Sequence, residues 1–343
     1  MANIDFEGNS VNTEGVDDNL DMSTAGVDEA AITASDSGVA SIDTDAETVS
    51  DGSADAGTAV TAGMTSTAYS DPNKIKVTIA DKKAPLVVLF GPPTCGKTMT
   101  LVRLTRYLKT KCYTVMPDTA FRSLQDPNYK AICDGFNDMI YSEDAARSTN
   151  KINYMLVKVY DKNGKILCQI LEAPGEHYFD PGNPGADFPK YVHTIINSDN
   201  RKIWVIMLEP DNTNMNMNVE TRMQYVSKIR DLKKNMKTHD KVIFLFNKID
   251  ETQQFVSGQG KVRYASVKRY IGDSYPGLFE PFKNDIPITQ LWKPNNFDIV
   301  AFQTGSYLVA ADGTSVFVPG ADTYPAKLWK FILKAIKGKW QWM

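Results

Sequence analysis

Apolar residues fall in short unbroken runs that alternate with stretches of helical periodicity. Leu86 to Phe90 (LVVLF) is continuous, as a buried strand requires, and beyond a glycine turn Leu101, Leu104 and Leu108 recur at helical spacing. A segment of about forty residues follows, with room for a short helix near Asn128 to Tyr141. In "INYMLVKVYDKNGKILCQILE" two apolar runs meet at Asn163-Gly164, which predicts a hairpin and so one strand antiparallel to its neighbour. "IWVIML" and "KVIFLF" read as two more buried strands, separated by a polar loop and a helix with Val219, Met223, Val226 and Ile229 on one face. From about Thr252 to Asn296 the pattern is poorly periodic and holds at least one helix. "FDIVAFQTGS" supplies the last sheet strand, "YLVAADGTSVFV" a hairpin turning at Asp312-Gly313, and "AKLWKFILKAIKGKW" a terminal helix. Strands alternating with helices around one antiparallel hairpin strand predict an α/β fold, a mainly parallel sheet in three layers.

Charge divides the chain. Residues 1 to 72 hold fifteen Asp or Glu, no Lys or Arg, and only eleven Leu, Ile, Val or Phe. Such a segment cannot bury enough apolar surface to offset its ordering entropy, so a disordered acidic tail is expected there. Residues 73 to 343 carry 38 basic and 26 acidic groups, a net of about +12. That basic body leaves contact with nucleic acid or a membrane surface open without supporting it. Lys327, Lys330, Lys334 and Lys337 lie on one face of the terminal helix, the pattern of a solvated side. The longest apolar runs fall far short of the ~20 residues that span a bilayer, and no targeting segment is visible. Cys95, Cys112, Cys133 and Cys168 are irregularly spaced, without metal-ligand pairing, as expected of reduced thiols in a cytoplasmic setting.

Two motifs carry chemistry. "GPPTCGKT" matches G-x-x-x-x-G-K-[ST] at Gly91, Gly96, Lys97 and Thr98, between a strand and a helix. There the backbone from Thr94 and Cys95 onward can turn N–H groups onto phosphate oxygens. Lys97 reaches the β and γ phosphates, and Thr98 offers a hydroxyl to Mg²⁺. The second motif is "NKID", with Asn247, Lys248 and Asp250 at the carboxyl end of KVIFLF, where open α/β sheets bind ligands. An aspartate there can accept from guanine N1–H and N2–H₂. Adenine offers neither donor, and groups left unpaired by the wrong base give discrimination of about 10⁴.

With both motifs in this order, the chain resembles a Ras-like P-loop GTPase of the class that includes translation factors and small regulatory GTPases. The resemblance covers about Lys74 to the C-terminus, a domain of residues 73–343 with insertions near 110–150, 252–296 and 306–323. It implies GTP or GDP and Mg²⁺ as ligands, and switch segments at 110 to 150 and 172 to 190 through which a protein partner would act. Gln303, Thr304 and Gly305 of "FQTGS" match the loop that meets guanine through backbone amides. Thr149, twenty-three residues before Glu172, matches the switch threonine that meets Mg²⁺, with Thr119 as runner-up and Arg147 as a candidate arginine finger in cis.

The chain departs from the family pattern at "EAPGEH". Glu172 stands where D-x-x-G has aspartate, Gly175 would give its amide to the γ phosphate, and Glu176 follows where a neutral Gln or His commonly orients water. His177 comes one residue later. With Lys97, these two residues are the candidate catalytic groups, and the negative charge of Glu176 predicts slow intrinsic hydrolysis. Three readings remain open: a slow Mg²⁺-dependent GTPase switch, a non-hydrolysing pseudo-GTPase, and, more weakly, an ATPase.

Overall fold

The computed structural model describes residues 71–122, 129–141, 154–210, 217–251, 255, 261–284, 295–309 and 315–338. The expected acidic tail therefore lies outside the described residues apart from its last two positions, as do Thr149, Arg147 and the turn at Asp312-Gly313. Seven strands form one sheet: β1 (Leu86–Phe90), β2 (Thr114–Pro117), β3 (Met155–Tyr160), β4 (Ile166–Glu172), β5 (Lys202–Leu208), β6 (Lys241–Phe246) and β7 (Phe297–Ala301). Their spatial order is β2-β3-β4-β1-β5-β6-β7. β3 runs antiparallel to both β2 and β4, and every other pairing is parallel. The mainly parallel sheet with one antiparallel hairpin strand is thus present, the architecture expected of a P-loop NTPase. A second sheet of two antiparallel strands, β8 (Gly305–Val309) and β9 (Ser315–Pro319), forms the expected hairpin after β7.

Helices α1 (Lys97–Thr110), α2 (Tyr129–Tyr141), α3 (Lys190–Asn197), α4 (Val219–Asn235), α5 (Tyr264–Ser274) and α6 (Thr323–Lys337) join the strands. β1 and β5 are buried at every position, which requires cover on both faces of the sheet. On one face Phe90 packs against Tyr178, Phe188 and Trp204 and stacks on Tyr225 of α4. α1 and α6 pack on each other, α1 against β4 and α6 against β5 and β7. The chain returns from β4 to the side of β1 and then crosses to β5, so the order reverses at β1. A crevice opens at such a reversal, outside the carboxyl ends of the strands.

Trp329 anchors α6. It is fully buried, meets the Tyr113 ring edge-on at 5.3 Å, and its Nε1 has no hydrogen-bond partner among the described residues. Trp329→Ala is expected to cost about 3–5 kcal/mol of unfolding free energy through the cavity left behind. Trp329→Phe removes the orphaned N–H and keeps most of the packing, so it should cost much less. Urea denaturation of the two variants checks the contrast, and equal losses would contradict it.

Candidate functional site

The loop Gly91 to Gly96 leaves β1 at that reversal, and its shape is enforced by neighbours. A Cβ on Gly91 would stand 2.7 Å from Cys95 Sγ and 2.8 Å from Met207 Cβ. Gly96 has φ +89°, and a Cβ there would stand 2.5 Å from Asn247 Nδ2, so this position takes no side chain. Thr94 also has a positive φ, 61°. Pro92 and Pro93 carry no N–H, so beyond Gly91 the loop's backbone donors resume at Thr94. α1 starts at Lys97 without a side-chain cap, and its N-terminus faces the loop. Lys97 is buried and folds back over the loop, donating to the carbonyls of Gly91 (3.2 Å) and Pro92 (2.8 Å). Burial pushes the Cys95 thiol up to about 11, so it stays protonated and is no nucleophile.

Glu172 ends β4 and is buried. Its Oε1 accepts from the Thr98 hydroxyl and its Oε2 from the Tyr154 N–H, each at 2.9 Å. Desolvation raises its pKa, against the pull of Lys97 and these two donors. Thr98 Oγ1 donates its hydrogen bond to Glu172, so the hydroxyl and the carboxylate present oxygen atoms side by side at the start of α1, and each Glu172 oxygen keeps a lone pair for a metal-bound water. These hard oxygens suit Mg²⁺ held mainly by phosphates and water. Among the described residues no group of three or more His, Cys, Asp or Glu forms an all-protein cage.

Gly175 opens a single tight helical turn, Gly175–His177, pressed onto the Gly91–Gly96 loop. A Cβ on it would stand 2.2 Å from Pro93 N and 2.4 Å from the Pro92 carbonyl carbon. Glu176 is exposed. His177 is half-buried, its Nδ1 2.7 Å from the Tyr191 hydroxyl and its ring edge-on to Tyr154 and Tyr191. Burial, and then the Lys97 charge, push its pKa down to about 4, so the ring is neutral at pH 7.

Asn247 donates through Nδ2 to the Cys95 carbonyl at 2.9 Å, and its buried Oδ1 has no hydrogen-bond partner among the described residues. Lys248 has φ 53° and pairs at 2.7 Å with Glu209, a buried carboxylate one residue beyond β5. Asp250 is exposed at the rim. The next loop is tied in by Ile249 N–H donating to the Phe302 carbonyl (3.2 Å), and Thr304 and Gly305 lead directly into β8. Thr119 is exposed in the turn after β2. The structure thus brings Gly91, Gly96, Lys97, Thr98, Glu172, Gly175 and Asn247 together, with Lys248 and Asp250 following Asn247 on the β6 side.

Sequence reasoning missed Glu209. Its signal is a carboxylate directly after the buried run "KIWVIML", the same position relative to its strand that Asn247 takes after KVIFLF. The salt bridge to Lys248 needs the fold to be seen.

No protein-family model matches the chain, and no curated protein is similar to it at a significant level. Among solved structures it resembles nucleolar GTP-binding protein 1 of Plasmodium falciparum, with 11% identity and TM-score 0.37 over 77% of this chain and 91% of that one. A GDP-bound Roco2 fragment of Methanosarcina barkeri gives 12% identity and TM-score 0.31 over 76% of this chain and 52% of that one. The GTP-bound GTPase-like domain of S. cerevisiae Ski7 gives 14% identity and TM-score 0.36 over 76% of this chain and 51% of that one. The chain thus spans about half the length of the latter two, and at these scores the likenesses add nothing to the strand order above.

Gly175→Ala must move backbone, since the intruding Cβ meets Pro92 and Pro93 rather than a side-chain tip. A loss of about 1–3 kcal/mol is expected in urea unfolding without nucleotide. Gly185→Ala, where nothing lies within 4 Å, is the control and should be near neutral. Equal stability of the two variants would show that the close approach is not maintained in solution.

Proposed function

We infer that the chain binds guanine nucleotides with Mg²⁺ and hydrolyses GTP slowly. The observation that carries this reading is the hydrogen bond from Asn247 Nδ2 to the Cys95 carbonyl. It joins the end of β6 to the phosphate loop, so that one ligand with a base at Asp250 and phosphates at Lys97 would meet both. Lys97 and the N–H groups from Thr94 to Thr98 would hold the phosphate oxygens, and Asp250 would accept from guanine N1–H and N2–H₂. Thr98 and Glu172 would hold Mg²⁺, with Thr149 as the switch threonine. When bound, the ion neutralises charge on the β and γ phosphates. Gly175 would offer its amide to the γ phosphate, and segments 110 to 150 and 172 to 190 would change order with that phosphate and present a surface to a protein partner.

Slow turnover is supported by what flanks Gly175. His177 spends Nδ1 on Tyr191, and Glu176 brings a negative charge towards a site already crowded with phosphate charge. The same features favour the second reading, a module that holds the nucleotide without cleaving it.

Titration calorimetry with GTP, GDP, ATP and xanthosine triphosphate tests the first reading. Wild-type protein should prefer GTP to ATP strongly, and Asp250→Asn should weaken GTP and favour the xanthine nucleotide, because its amide can donate to the 2-oxo group. Equal wild-type affinity for ATP and GTP would sink it.

Single-turnover phosphate release separates the two readings. Glu176→Gln should raise the rate by about ten-fold or more, as it removes the charge and adds a donor to the γ phosphate. A rate abolished by this change would make Glu176 a working catalytic group. No release from either protein in excess would favour the holding module.

A further inference from the structure

Arg103 lies on α1, the helix opened by the phosphate loop, and its side chain is 8% exposed. Its Nη2 donates to the Gly320 carbonyl at 2.5 Å and to Asp322 Oδ1 at 2.6 Å. Gly320 in turn donates its N–H to the Thr304 carbonyl at 3.3 Å. A Cβ on Gly320 would stand 3.2 Å from Gln303 Cγ and 3.3 Å from both its Cδ and its carbonyl oxygen. A buried guanidinium on the phosphate helix therefore grips the backbone on which Gln303 and Thr304 rest.

The direction of one peptide makes this grip consequential. The Thr304 carbonyl and the Gly305 N–H belong to the same planar peptide unit and point to opposite sides of it. Holding the carbonyl through Gly320 fixes the direction of the N–H. Gly305 pairs with Pro319 as the first rung of the β8–β9 hairpin, so the hairpin and the Arg103 contact brace that peptide together. An N–H facing guanine can meet only its acceptors O6, N7 or N3, and of these O6 adjoins the N1–H that Asp250 would take.

We propose that Arg103, through Gly320, is a positioning residue for base recognition, holding the Thr304–Gly305 peptide so that its N–H addresses guanine O6. This rests on the guanine-nucleotide reading. The pair with Asp322, itself 64% exposed, is worth little alone. The charge-assisted bond to Gly320 is the stronger link. Lysine keeps the charge but lacks the planar fork that meets two acceptors at once.

The test uses the full chain and three diphosphates in titration calorimetry. 6-Thioguanosine diphosphate replaces O6 by a larger, poorer acceptor and keeps N1–H and N2–H₂. Inosine diphosphate keeps O6 and lacks the amino group read by Asp250. Arg103→Lys should weaken GDP by about three- to ten-fold, the worth of one hydrogen bond, and weaken the thio analogue less. The preference for GDP over 6-thio-GDP then shrinks, and the preference for GDP over IDP stays. Gly320→Ala, which crowds Gln303 from behind without touching the ion pair, should shrink the same ratio. An unchanged thio ratio in both variants, or an equal loss for all three ligands, overturns the proposal while leaving the guanine reading in place. Wild-type protein that binds ADP as well as GDP fails that reading instead, and this proposal with it.

Discussion

The Glu172 carboxylate is the constraint on which the candidate site depends. Parallel register sets it beside Leu89, one residue short of the end of β1, and antiparallel register sets it opposite Met155. From there its two oxygens hold α1 through Thr98 and the start of β3 through Tyr154. A buried carboxylate loses its hydration, and a charge left there unpaired would cost several kcal/mol, so these donors and the nearby Lys97 are conditions of its position. Aspartate, one methylene shorter, would not span the two donors in the same geometry.

The loop from Gly91 to Gly96 is held from two sides by different chemistry. Gly175 presses on Pro92 and Pro93 by steric fit, and Asn247 holds Cys95 by a hydrogen bond from the end of β6. Lys97 closes the loop from within through the carbonyls of Gly91 and Pro92. A shift of β6 or of the turn at Gly175 is therefore felt at the loop, although neither segment is adjacent to it in sequence.

What could be read in advance follows burial. β1, β5 and β6 are nearly continuous apolar runs because helices cover both faces of the sheet, and α2, expected from Asn128 to Tyr141, spans Tyr129–Tyr141. β2 escaped notice: it has four residues, one of them proline, and only Val115 is buried, as suits an edge strand. α3, eight residues long and entered through Pro189, was hidden by a preceding segment rich in proline and glycine. Of the site, Lys97, Thr98 and Asn247 were legible because fixed spacing encodes their geometry. Arg103 and Glu209 were not, since their partners lie 219 and 39 residues away and only the fold joins them.

The four thiols also bear on how the molecule can be handled. Cys95, Cys133 and Cys168 are buried, and burial raises the pKa of each, to about 11 for the first two and further for the third. Cys112, in the turn after α1, is exposed. Alkylating reagents attack accessible thiolates, so the native chain presents one addressable sulfur next to the helix that carries Lys97 and Arg103. A fluorophore attached there would report on that helix without prior cysteine engineering, and its attachment would leave the Cys95 thiol inside the Gly91–Gly96 loop untouched.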